Sequence, residues 1–140
     1  MKQYELLFVV KPTLTEEEIA SEIANVKSSI EKDGGEIVTT HDMGMKKLAY
    51  EVAKANRGYY TVYYFNANPA SIGEIERLIR LNENILKFMT VKYESKRERV
   101  AFDAAVKKVA TKKAPAKEAE VKEEVKEAPA KEAEETPVEA

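Results

Sequence analysis

Apolar and polar positions along this chain follow two periods, and the period switches at recognisable signals. Residues 4–10 read Tyr-Glu-Leu-Leu-Phe-Val-Val. So continuous an apolar run predicts a strand buried on both faces, and therefore a central one. Pro12 ends it. Thr15 and Glu18 then make a capping box, and Leu14 and Ile19 stand at the positions of a hydrophobic staple. Ile19, Ile23, Val26 and Ile30 follow at helical spacing, one face of an amphipathic helix. Glu16 and Glu17 suit its dipole, and Gly34-Gly35 supplies the stop. Residues 36–52 predict a long mixed strand bent near Gly44, 53–58 a turn, and 59–65 an aromatic, central strand. Asn68-Pro69 breaks that strand, and Ser71 with Glu74 predicts a second capping box. Ile72, Ile75, Leu78 and Ile79 line a second helix that ends at Asn82-Glu83-Asn84. Residues 85–93 form a last strand, interrupted by Lys87 and Lys92 as edge strands often are.

The order is strand, helix, strand, strand, helix, strand. Each strand–helix–strand unit crosses over right-handed. Two such units interleave into a four-stranded antiparallel sheet with both helices on one face, the ferredoxin-like α+β fold. The apolar first and third strands take its central places, and the lysine-bearing second and fourth its edges. The helix-free face is then the natural docking surface.

Composition divides the chain into three parts. Residues 1–95 hold all five glycines and nearly all the large apolar side chains, enough for one self-folding domain. They carry 12 Lys/Arg against 14 Asp/Glu, net −2. Residues 96–113 are basic, net +5, with sparse apolar positions at Val100, Phe102, Val106 and Val109. They read as a basic linker or extension, or a segment that becomes helical when bound. Residues 114–140, net −5, lack any aromatic, Leu, Ile or Met and repeat Ala-Pro-Ala-Lys-Glu-Ala-Glu. Such a segment cannot offset its ordering entropy, which predicts a disordered acidic tail. Without cysteine there is no disulfide or thiolate site. No run is long enough to span a membrane, and Glu5 interrupts any signal-like apolar start.

Catalytic signals are sparse. His41 is the only histidine, Ser28 and Ser29 have no base near them in sequence, and the glycines lack phosphate-loop spacing. An acylphosphatase-like hydrolase of this fold would need a glycine-bearing phosphate cradle, which Lys11-Pro12-Thr13 does not offer. Residues 44–65 are more informative. Lysines and five tyrosines fall there on two neighbouring strands joined by a basic hairpin. Cations and aromatic rings at strand spacing suit phosphate contact and base stacking, although the same tyrosines equally suit cross-strand packing. Residues 57–64, Arg-Gly-Tyr-Tyr-Thr-Val-Tyr-Tyr, partly match the RNP1 pattern of RNA-recognition motifs. They depart at Tyr60, where a small residue is expected, and at Thr61, where a second stacking ring is needed.

A wider set of motifs covers residues 1–95. Met-Lys-Gln-Tyr-Glu at the start, Gly-Met-Lys-Lys-Leu-Ala-Tyr at 44–50, Gly-Tyr-Tyr at 58–60 and Arg-Leu-Asn-Glu-Asn-Ile-Leu-Lys-Phe-Met-Thr-Val-Lys at 80–92 occur in order. Together they resemble the bacterial small-subunit ribosomal protein six family. Glu51 stands where that family usually has proline. The resemblance implies a non-enzymatic, cytoplasmic constituent of the small ribosomal subunit. Such a protein binds small-subunit ribosomal RNA beside ribosomal protein eighteen, without cofactor, metal, small-molecule substrate or membrane. It also implies that Lys2, Tyr4, Lys46, Lys47 and Tyr50 lie near RNA or partner. Arg80, Lys87 and Lys92 join them as cations bordering the last strand. The competing classes are a free-standing RNA-recognition-motif protein and a homodimeric small-molecule regulatory domain of the same fold.

Overall fold

The structure, a computed structural model, describes residues 1–112. Lys113 and the expected disordered tail, 114–140, lie outside the described residues. The elements are β1 (Lys2–Val10), α1 (Glu16–Lys32), β2 (Glu36–Val52), β3 (Ala55–Ala67), α2 (Pro69–Leu81) and β4 (Ile85–Tyr93). Residues 96–112 add a further helix, α3. The strands pair antiparallel in the order β2-β3-β1-β4, the ferredoxin-like arrangement, with the apolar β1 and β3 inside. The chain divides between Val106 and Lys107. The unit that holds the sheet therefore extends past residue 95 and takes in the start of α3.

Local signals explain most element ends. Thr15 Oγ1 accepts the Glu18 N–H at 3.3 Å, and the Glu18 carboxylate accepts the Thr15 N–H at 2.8 Å. This reciprocal cap satisfies two N–H groups that the first turn leaves without partners. At α2 the cap sits three residues before the expected Ser71. Asn68 accepts the Ala70 N–H at 3.2 Å and Pro69 occupies the first turn, a position where its missing N–H costs nothing. The Ser71 hydroxyl donates instead to the Asp33 carbonyl at 2.9 Å, which ties α2 to the end of α1.

Strand parity decides which side chains meet the helices. Tyr4, Leu6, Phe8 and Val10 of β1 and Tyr63 and Phe65 of β3 pack against Ile19, Val26 and Ile30 of α1 and Ile75 and Ile79 of α2. Burying each of the larger ones contributes about 1.5–3 kcal/mol. The Tyr63 hydroxyl donates to the Ile23 carbonyl at 2.7 Å, and burial raises its pKa above the usual tyrosine value.

The opposite sheet face is not bare, contrary to the expected open docking surface. α3 begins with an unanticipated capping box: Ser95 Oγ accepts the Glu98 N–H, and the Glu98 carboxylate accepts the Glu94 and Ser95 N–H groups. The start of α3 places Phe102, 2% exposed, edge-on to Tyr64 (5.6 Å, 76°) and Tyr93 (5.2 Å, 69°). Residues 96–112 are thus helical rather than an extended linker.

Candidate nucleic-acid interface

The turn between β2 and β3 is tighter than its composition suggests. Ala53 and Lys54 both have positive φ, 48° and 63°, the signature of a two-residue hairpin loop that matches strand twist. β3 consequently starts at Ala55, within the expected turn 53–58. Further down, Lys47 pairs with Arg57 and Val52 with Ala55. Residues 48–51 therefore face a single residue, Asn56, on the partner strand. A bulge of this kind leaves side chains off the ladder and re-aims them.

Tyr50 is the side chain it re-aims. It crosses to β4, where Lys87 Nζ lies 4.9 Å from its ring centroid and donates to its hydroxyl oxygen. Leu48 and Val52 come with it, and with Leu7, Val9, Tyr60 and Met89 they line a cavity of about 190 Å³. Gly58 lets the hairpin root approach β1: a Cβ there would stand 2.2 Å from Val9 Cγ1.

The hairpin carries Lys46, Lys47, Lys54 and Arg57, all exposed, against one carboxylate, Glu51. Among the described residues none of these cations, nor Lys87, is in an ion pair. The charge of the four hairpin cations stays available to an external anion. Lys46 pairs with Gly58 and Lys47 with Arg57, so the two lysines point to opposite faces of the ribbon and the arm is cationic on both.

The eight residues expected from sequence therefore do not form one site. Lys46, Lys47, Tyr50 and Lys87 gather at the hairpin end. Lys2 and Lys92 sit at the other end of the sheet and share the Glu94 carboxylate, at 3.3 and 2.5 Å. That pairing raises the Lys92 pKa and lowers that of Glu94. Arg80 lies on α2, its guanidinium 5.9 Å over the Phe88 ring, on the helix side. Tyr4 is a correction: it is 3% exposed and stacks on Phe65 at 5.7 Å. Its ring belongs to the core because even-numbered β1 residues face the helices. Lys54 and Arg57 were missed as site residues. The signal was the ribbon itself, since a strand pair running on to Ala53-Lys54 carries every cation between 46 and 57.

The RNP1 likeness fails on the same parity. Tyr59 packs against the helix-side core and Thr61 is fully buried. On the other face Tyr64 lies beneath Phe102. No row of exposed rings is left to form a base-stacking platform on β3.

Fold and surface together define a class: a ferredoxin-like domain with an exposed cationic hairpin and further exposed cations along α3. The profile of the family described as ribosomal protein S6 matches residues 3–92. The small ribosomal subunit protein bS6 of Sulfurovum sp. (strain NBC37-1) is 52% identical over 124 residues, 89% of this chain and 97% of that protein. The bS6 protein of Helicobacter pylori (strain Shi470) is 52% identical over 118 residues, 84% and 83% of the two chains. The crystal structure of 30S ribosomal protein S6 from Thermotoga maritima superimposes with a TM-score of 0.66 at 33% identity, over 74% of this chain and 97% of that one. The chain belongs to the ribosomal protein S6 family. It is a structural protein of the small ribosomal subunit in the cytoplasm, not an enzyme. Among the described residues no helix is long and apolar enough to cross a membrane.

Proposed function

We propose that this protein binds small-subunit ribosomal RNA through the β2–β3 hairpin and does so together with ribosomal protein eighteen. The observation that carries this reading is the concentration of unpaired cations, Lys46, Lys47, Lys54 and Arg57, on one exposed arm of a domain whose residues 1–95 are net −2. A domain of that charge releases few counterions on binding, so bare-RNA affinity is weak. A second protein that supplies further phosphate contacts completes the site and steers its formation. Lys2 and Lys92, held by Glu94, form a secondary contact at the far end of the sheet, and the cations that open α3 lie at that same end.

The test is a titration of one small-subunit ribosomal RNA fragment with this protein, in the presence and absence of ribosomal protein eighteen. Much tighter binding with the partner present is expected. Equal affinities in the two titrations would remove the cooperative reading. No binding in either would remove the RNA assignment of the hairpin.

A further inference from the structure

The bulge at 48–51 needs explanation. Three surplus residues on one strand of a ribbon weaken the ladder at the point where it bears its cations. A ribbon of two strands beyond the sheet edge has little stability of its own. Here the loosened stretch is held by a contact made outside the ladder. Tyr50 spans from β2 to β4, past both intervening strands, and its hydroxyl oxygen accepts a hydrogen bond from the Lys87 ammonium, which lies at the hydroxyl rim of the ring. The side chain is 59% exposed, so its burial contributes modestly. The cavity below it means that the arm rests on the sheet without filling the space beneath. Beside the half-buried Leu48 and Val52, the one polar attachment of the bulge to β4 among the described residues is the Lys87–Tyr50 hydrogen bond.

We propose that Tyr50 and Lys87 form a latch that holds the cationic hairpin against β4 and thereby fixes where Lys46, Lys47, Lys54 and Arg57 meet RNA phosphates. Tyr50 is a positioning residue in this scheme: it orders the arm before RNA arrives, so that less conformational entropy is lost on binding. Lys87 is the fixed end of the latch, and its ammonium is engaged with Tyr50 in the free protein. The RNA half of the inference rests on the proposed function. The latch itself does not.

The experiment uses the full chain and two readouts. The first is hydrogen exchange of amides 46–57 in the free protein. The contact is an exposed hydrogen bond, so Tyr50→Ala should speed exchange there about two- to fivefold. Lys87→Ala should do the same, and the double variant should add little, because both single changes open one latch. Tyr50→Phe removes the hydroxyl that accepts from Lys87 and should lose protection much as Tyr50→Ala does.

The second readout is binding to the ribosomal RNA fragment with ribosomal protein eighteen present, across salt. Tyr50→Ala should weaken binding several-fold while leaving the salt slope unchanged, because every cation is still there. Unchanged exchange in both single variants would overturn the latch. So would additive effects in the double variant. Weakened binding by Tyr50→Ala with unchanged exchange would make Tyr50 a direct contact rather than a positioning residue. Failure of the wild-type chain to bind would refute the RNA reading alone, since exchange is measured on the free protein.

Discussion

The sheet face away from α1 and α2 is closed at its two ends by opposite means. At one end Phe102 is 2% exposed between the Tyr64 and Tyr93 rings, and the Tyr93 hydroxyl donates to the Glu5 carboxylate. At the other end Tyr50 is 59% exposed and holds a lysine rather than another ring. The first closure excludes water and takes its strength from apolar area and edge-to-face geometry. The second stays wet and takes its strength from a hydrogen bond between an ammonium and a phenol hydroxyl. The packed end therefore stabilises the molecule more than the solvated one. A trio of rings around a buried phenylalanine is costly to open. A solvated latch opens cheaply.

Phe102→Ala should have the largest effect. Truncating a buried phenylalanine removes its transfer free energy and leaves a cavity, about 3–5 kcal/mol in well-packed sites. Denaturant unfolding should show a loss of about 3 kcal/mol, at the low end because α3 can shift to close part of the gap. A loss below about 1 kcal/mol, the size of an ordinary surface effect, would abolish the contrast between the two ends.

Gly58→Ala comes next. The added methyl meets Val9 Cγ1 at 2.2 Å, and overpacking of that kind costs about 1–3 kcal/mol. The strain falls at the hairpin root, so exchange of amides near 58 should rise with the loss of stability. Wild-type stability in this variant would mean that the root is as pliable as the tip.

The dry end should also reveal itself in alkali. Burial, reinforced by Glu5, raises the pKa of both Tyr64 and Tyr93. A raised folded value means that the native state holds its proton more tightly than the unfolded chain. Stability is then fully present below the unfolded tyrosine value, near 10, and declines as pH rises beyond it. The melting temperature should fall above about pH 10, and Tyr93→Phe should shallow that fall because phenylalanine does not titrate. An identical alkaline profile in Tyr93→Phe would assign the loss to other groups, with buried Tyr63 the first to test.

Replacement of Lys46 and Lys47 by alanine should have the smallest effect on stability, within about 0.5 kcal/mol for exposed positions. Its effect should appear in binding. Loss of up to two phosphate contacts reduces the salt slope of RNA association by about one to two. An unchanged slope would return these lysines to guarding an edge strand against aggregation.

Much of the architecture was legible along the chain because its causes are local. The Thr15–Glu18 box, the apolar spacing from Ile19 to Ile30, and the bounds 85–93 of the last strand all depend on residues within a turn or two of one another. The apolar runs of β1 and β3 also announced their central places, which made the sheet order deducible. The hairpin was read as a basic element, and Lys46 and Lys47 do stand exposed on it. The expected cap of α2, Ser71, lies three residues late: Asn68 caps the helix, and Ser71 instead donates to the Asp33 carbonyl of α1.

The remaining features depend on pairings that no local period encodes. Sheet parity sent Tyr4 into the core and Tyr59 and Thr61 towards the helices, because a shift of one residue exchanges the two faces of a strand. A bulge whose extra residues look ordinary in sequence lifted Tyr50 off its ladder and across to Lys87. Phe102 stood in a sparse, basic stretch that read as a linker until Tyr64 and Tyr93, from two different strands, supplied the rings it packs against. Sequence determined which elements form and in what order, through short-range hydrogen bonds and periodic burial. Tertiary structure alone decided which side chains are spent on the core and which remain for a partner, because that choice depends on contacts between residues far apart in the chain.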